Sequence, residues 1–232
     1  MATSGQYNFT INRAELIAAA LRQTGRFGAT DAISTADTTY CSQALNLLIK
    51  SLARNQKPIW CVQRVTVPMV TGQPTYNLST ITGQTRPIRP LFAFLRDSTG
   101  NDVTLSIVAR DDYNTLGQKS QQGVPNQLFW DGQLGAVTVT VYNVPFDSSH
   151  TMYIDIQRQL QDMLTDTDTP DFPQEAFLML KWMLADEIAL EYQTPDKTRA
   201  TISQKAAQAY EAYFADEREE VSTYFTPSER MR

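Results

Sequence analysis

The chain has 232 residues, 42% of them hydrophobic and 19% charged, with a formal net charge of −5. That length buries a full core as one large domain or two small ones, and the composition is that of an ordinary soluble globular protein. The acidic balance argues against a protein that grips nucleic-acid phosphates through clustered Lys and Arg, and leaves room for a surface that DNA slides past.

No run approaches the roughly 18–20 apolar residues of a membrane span. The start, Met1-Ala-Thr-Ser-Gly-Gln, has neither the basic residues nor the apolar stretch of a signal peptide. Cys41 and Cys61 form no Cys-x-x-Cys pair and are expected as buried free thiols, which fits synthesis in a cytoplasm.

The first predicted helix covers about Asn12 to Thr24. Asn12 and Glu15 have capping-box spacing, Leu16, Ile17, Ala20 and Leu21 form an apolar stripe, and Gly25 ends the element. A second helix is predicted over Thr35–Asn55, with Tyr40, Ala44, Leu47, Leu48 and Leu52 as its stripe and Lys57-Pro58 as its stop.

From Trp60 the apolar period changes from helical to alternating. Val65 and Val67 are expected to face one way, with Val62, Arg64, Thr66 and Pro68 facing the other. Further strands are predicted at Thr75–Leu78, Ile88–Leu95, Val103–Val108, Asn126–Trp130, Ala136–Asn143 and Thr151–Gln159, with a single short helix or turn at Asp111–Lys119. Sequential short strands joined by turns imply an antiparallel sheet or small β-sandwich.

An acidic linker, Asp162–Asp171, returns the chain to helices. Within Gln174–Tyr192, Phe177, Leu180, Leu184 and Ile188 mark one face, and Leu178, Trp182, Ala185, Ala189 and Tyr192 a second beside it. So wide an apolar surface belongs at the centre of a bundle. The last helix, about Asp196 to Glu219, turns Ile202, Ala206, Ala209, Tyr210, Tyr213 and Phe214 inward. Its charges oppose the helix dipole, with Lys197, Arg199 and Lys205 early and Glu217, Glu219 and Glu220 late. Either a partner supplies positive charge at the acidic end, or that end is solvated and frays. Residues 221–232 carry Tyr224 and Phe225 without a helical pattern. The fold class is therefore α+β: a four-helix bundle (residues 1–59 and 171–220), an inserted β domain (60–162) and an extended C-terminal tail (221–232).

Residues for bond-making chemistry are scarce. The single histidine, His150, falls in a turn, and there is no His-Glu-x-x-His, P-loop, Gly-x-Gly-x-x-Gly or Gly-x-Ser-x-Gly motif. Asp162, Asp166, Asp168 and Asp171 lack the glycine and closing glutamate of a calcium loop and are expected to be solvated. Asp111-Asp112 and Asp186-Glu187 are neighbours that point about 100° apart on a helix, which makes neither a natural acid–base dyad. Trp60 and Trp130 are candidate stacking platforms or simply core. No enzyme activity, cofactor or metal is expected.

Four segments carry a resemblance: Gly123-Val-Pro-Asn-Gln-Leu-Phe-Trp-Asp, Val137-Thr-Val-Thr-Val-Tyr-Asn-Val-Pro, Tyr153-Ile-Asp-Ile-Gln-Arg and Asp171-Phe-Pro-Gln-Glu-Ala-Phe. Their order resembles the head-to-tail adaptor proteins of tailed bacteriophages, including tail tubular adaptors and packaged-DNA stabilisation proteins. The resemblance implies a subunit of a homo-oligomeric ring, usually of twelve copies, located in the neck of the virion. Such a ring docks beneath the portal protein, extends the DNA channel without sequence recognition, and receives the tail or a nozzle protein. By the same analogy Tyr224, Phe225 and Arg230 are portal-docking residues. Two alternatives remain: another neck or tail-completion protein, and a tail-associated glycan-binding or glycan-hydrolysing module.

Overall fold

A computed structural model of the chain describes residue 5 and residues 7–55, 58–83 and 86–216. Asn12 opens helix α1 (Arg13–Gln23) with the expected capping box: its side chain accepts from the Glu15 amide at 2.9 Å, and the Glu15 carboxylate accepts from the Asn12 amide at 3.0 Å. Leu16, Ile17, Ala20 and Leu21 are buried, as the stripe predicts. Helix α2 (Thr35–Asn55) begins after Ser34, whose hydroxyl accepts from the Asp37 amide at 3.1 Å. Its buried face is the expected one in part. Ala44 and Leu52 of the stripe are buried and Leu48 packs against the core, whereas Leu47 is 72% exposed and Tyr40 lies at the surface, and Cys41, Leu45 and Ile49 are buried instead. Leu45, Leu47, Leu48 and Ile49 offer two adjoining stripes, and packing selects the one rotated by a residue.

A 3-10 turn (Ile59–Cys61) leads into the β region. Its elements are β1 (Val62–Pro68), β2 (Thr75–Asn77), α3 (Leu78–Thr82), β3 (Arg89–Arg96), β4 (Asp102–Thr104), β5 (Ser106–Val108), α4 (Arg110–Thr115), β6 (Gln122–Gly123), β7 (Gln127–Gly132), β8 (Val137–Tyr142), β9 (Val144–Pro145) and β10 (Thr151–Gln157). One sheet has the order β1-β10-β3-β4 and is antiparallel; a second has the order β2-β8-β7-β5; β6 and β9 pair in parallel. The second sheet is mixed, because β5 runs parallel to β7. This departs from the antiparallel expectation, and the cause is a switch at Leu105. Its amide donates to Ala93 of β3, while the next amide, Ser106, donates to Asn126. One predicted strand thus serves both sheets.

The two sheets bury a common interior. Val65, Val67, Ala93, Leu95, Met152 and Ile154 from the first meet Tyr76, Leu128, Val137, Val139 and Val141 from the second. The alternation read from the sequence holds, since Val62, Arg64, Thr66 and Pro68 are exposed on β1. The inserted unit is a sandwich.

Beyond it, a second 3-10 turn (Gln174–Ala176) precedes α5 (Phe177–Ile188), and α6 (Asp196–Asp216) follows. Helix α5 packs against α1, α2 and α6, and the four share one apolar core. Phe177, Leu180, Leu184 and Ile188 are buried, as are Ala185 and Ala189 of the second stripe, but Leu178 is exposed. Tyr192, after α5, is pinned to α2: its hydroxyl donates to Asp37 at 2.7 Å and its ring meets Phe27 and Tyr40 edge-on.

The linker before α5 is largely exposed, as expected, and is also stitched down at several points. Carbonyls of Asp166 and Asp168 accept from the first amides of α1, Arg13 and Ala14, which no turn of the helix can satisfy. Asn46 exchanges hydrogen bonds with Met163 at 3.2 and 3.0 Å. Lys50 reaches the Leu160 carbonyl at 2.7 Å and Asp162 at 2.8 Å. Among the described residues no helix is long and apolar enough to cross a membrane.

Candidate assembly surfaces

The first sheet covers the sandwich interior with one face and leaves the other open. Its register sets the outward side chains in rows: Arg64, Asp155 and Phe92; Thr66, Tyr153, Phe94 and Thr104; Pro68, Thr151, Arg96 and Asp102. Phe94 stacks on Tyr153 with centroids 5.0 Å apart and planes 11° apart. The Arg64 guanidinium lies 5.3 Å from the centre of Phe94, and that of Arg96 lies 5.6 Å from Phe94 and 5.2 Å from Tyr153. Each arginine is also held by a two-bond fork, Arg64 to Asp155 at 2.7 and 2.8 Å and Arg96 to Asp102 at 2.7 and 2.7 Å. The Arg96 hydrogen bond holds the Asp102 carboxyl below its usual range.

Stacking and ion pairing fix this face in one arrangement. Phe94 is 7% exposed beneath the guanidinium groups, and Phe92 stays 47% exposed beside it. Planar arginines and aromatics held rigid are the residue types that anchor protein interfaces at low entropic cost. The far side of the sandwich has a smaller counterpart. Phe129 stacks on Tyr113 at 5.0 Å, with Arg110 over Phe129 at 5.2 Å and bonded to Asp131 at 2.6 Å. Outward placement of Arg64 was visible in the alternation of β1, but the register that brings Phe94, Arg96 and Tyr153 beside it is long-range and carried no local signal.

Sandwich and helices meet at the base of β1 and β10, where Val62 pairs with Gln157. Gln157 is buried, donating to the Ala53 carbonyl of α2 at 2.8 Å and accepting from Arg89 Nε at 2.8 Å. Trp60 is part of this joint, not an open platform. Its ring packs on Phe172 at 5.1 Å, its Nε1 donates to Tyr213 at 3.0 Å, and Arg158 lies over it while forming a forked pair with Asp171. Trp130 packs against the sandwich core.

The other residues singled out in the sequence are dispersed. Tyr224, Phe225 and Arg230 lie outside the described residues. His150 Nδ1 sits 2.9 Å from the Ser149 hydroxyl, and Asp147, kept below its usual range chiefly by that hydroxyl, lies 3.5 Å away. Asp162, Asp166 and Asp171 pair with Lys50, Arg13 and Arg158, and Asp168 accepts from the Leu164 and Thr165 amides at 2.6 and 2.7 Å. Among the described residues no group of three or more His, Cys, Asp or Glu is placed to hold a metal ion.

The ordered faces of the sandwich and the structural pairing of the linker carboxylates complete the described surfaces. The family model of the SU10 adaptor protein matches residues 11–231, and the chain belongs to that bacteriophage family. The head-to-tail resemblance read from the four motifs agrees with this. No curated protein is similar enough to the chain to count as a relative.

Proposed function

We propose that the chain is a structural head-to-tail adaptor subunit, without enzyme activity, in the neck of a tailed phage. Copies stand side by side in a ring of twelve that docks under the portal protein, extends the DNA channel and receives the tail or nozzle protein. DNA passes without sequence recognition, and no membrane is involved; the chain is made in the host cytoplasm and ends in the virion. The observation that carries this reading is the family match over nearly the whole chain. The net charge of −5 supports it, because a channel wall that does not hold phosphates lets DNA move.

In this reading the helices of residues 1–59 and 171–220 form a four-helix bundle, the sandwich of residues 60–162 projects from it, and residues 221–232 dock on the portal through Tyr224, Phe225 and Arg230. Aromatic and arginine side chains suit such anchors, and a segment without a helical pattern orders on its partner. The test is negative-stain microscopy of the chain mixed with its portal. Rings seated on the portal are expected, and their absence at high protein concentration overturns the reading. Deleting residues 221–232 is expected to abolish seating; retained seating moves the contact elsewhere.

A further inference from the structure

Among the described residues six arginine and lysine side chains pair with a carboxylate within 4.0 Å, and a group of lysines gathered on the helical side does not. Helix α6 places Lys197, Thr201 and Lys205 on one row at four-residue spacing. Opposite them stands Trp182 of α5. Together with Gln23 and Thr198 these residues line a groove of about 330 Å³. Lys205 Nζ lies 4.6 Å from the centre of the Trp182 ring and Lys181 Nζ 4.5 Å, so two ammonium groups share one indole.

Among the described residues, the ion pairs engage other cations, and no carboxylate comes within 4.0 Å of Lys181, Lys197 or Lys205. Asp196, which begins α6, and Asp186, one turn beyond Trp182, are both too distant. The Lys181 amine is pulled below its usual range, first by burial and then by the charge of Lys205. An anion seated between the lysines would relieve that repulsion.

We propose that this groove receives the acidic residues 216–220, which in sequence begin at the last residue of α6, from a neighbouring copy of the chain. The inference rests on the ring reading and names its contact. The sequence Asp216-Glu217-Arg218-Glu219-Glu220 offers a dense negative cluster. A chain's own cluster does not cover its own groove. Asp216 lies about 16 Å of helix beyond Lys205 and about 28 Å beyond Lys197, and four further residues span at most about 14 Å. Complementary patches at the two ends of one segment can join head to tail from copy to copy, and such contacts can close into rings. The same contact accounts for the charge order of residues 196–220, basic early and acidic late, since each end meets its complement on a neighbour.

The test measures ring population by mass photometry and microscopy, for the full chain with portal in about 0.15 M salt. Lys197→Glu with Lys205→Glu is expected to lower that population more than about tenfold, because like charges then meet at every contact. Glu217→Lys, Glu219→Lys and Glu220→Lys together are expected to do the same. Mixing the two altered chains in equal amounts restores opposite charges throughout an alternating ring, and rings are expected to return, which misfolded chains cannot do. Rings at the unaltered level from either altered chain alone overturn the proposal and leave the ring reading standing. No rings from the unaltered chain overturn that reading and the proposal with it. Weaker binding of a short DNA duplex to the lysine variant, with rings undiminished, assigns the groove to nucleic acid and also overturns the proposal.

Discussion

The sandwich and the helical layer are assembled in opposite ways. All strands of the sandwich come from one uninterrupted stretch of chain, within which only β3–β4 and β7–β8 join sheet neighbours through short connections. The helical core joins α1 and α2 to α5 and α6 across the entire insert. Contacts between distant segments form late, because loop-closure entropy opposes them until something draws the ends together. Here the pairing of Val62 with Gln157 does so, setting the two halves of the helical layer side by side. On this ground the sandwich is expected to support the helical core more than the helical core supports the sandwich.

The largest test of that asymmetry is a pair of cavities. Leu184→Ala in α5 and Ile154→Ala in β10 each empty a fully buried site and are expected to cost about 2–5 kcal/mol by denaturant titration. Hydrogen exchange separates them. Leu184→Ala should release amides of α1, α5 and α6 while β10 and β3 stay protected, whereas Ile154→Ala should release both regions. Equal release in both variants would abolish the distinction. Gln157→Leu strips the joint of its donor to Ala53 and its acceptor for Arg89, with an expected loss of about 1–3 kcal/mol and helical amides exchanging faster than sandwich amides. Asn12→Ala removes one arm of the α1 capping box; about 1 kcal/mol is expected, confined to the helical side and read as faster exchange at Glu15.

The smallest effect is acid sensitivity. Asp168 at the linker and Asp97 and Asp102 in the sandwich all titrate below their usual value, chiefly through hydrogen bonds from Thr165, Thr99 and Arg96 respectively. Carboxyls lowered on folding stabilise above the unfolded value and lose that contribution as pH falls through the folded one. Melting temperature should be level from neutral pH down to about 5 and drop below about 4. Because both regions carry such groups, fraying is expected at the Asp97–Asn101 hairpin and at the linker together.

How much of this was legible follows from the range of the forces involved. The α1 cap and stripe, the limits of α2 at Thr35 and Asn55, and the alternation of β1 and β8 were all readable, because period and capping act within a few residues. The short α3, capped by Asn77 on the Thr80 amide at 3.2 Å, begins at Leu78, where the predicted extended stretch Thr75–Leu78 ended. The buried face of α2, the change of sheet at Leu105 and the parallel β5–β7 pair are decided by tertiary packing, which leaves no local mark. The same holds for the candidate surfaces. Lys197 and Lys205 are visible as charges on α6, but that Lys205 meets Lys181 on Trp182, with Lys197 lining the same groove, depends on how α5 and α6 pack.

The neighbouring strand bases at Val62 and Gln157 have a further consequence for how such a subunit can be altered. Two chain crossings about 5 Å apart amount to a socket. A foreign module whose two ends lie one strand spacing apart is expected to be accepted there, provided that the contacts of Trp60 and Gln157 with the helical side are kept. The sandwich is thus a target for exchange, with the part that packs around α5 left as it is.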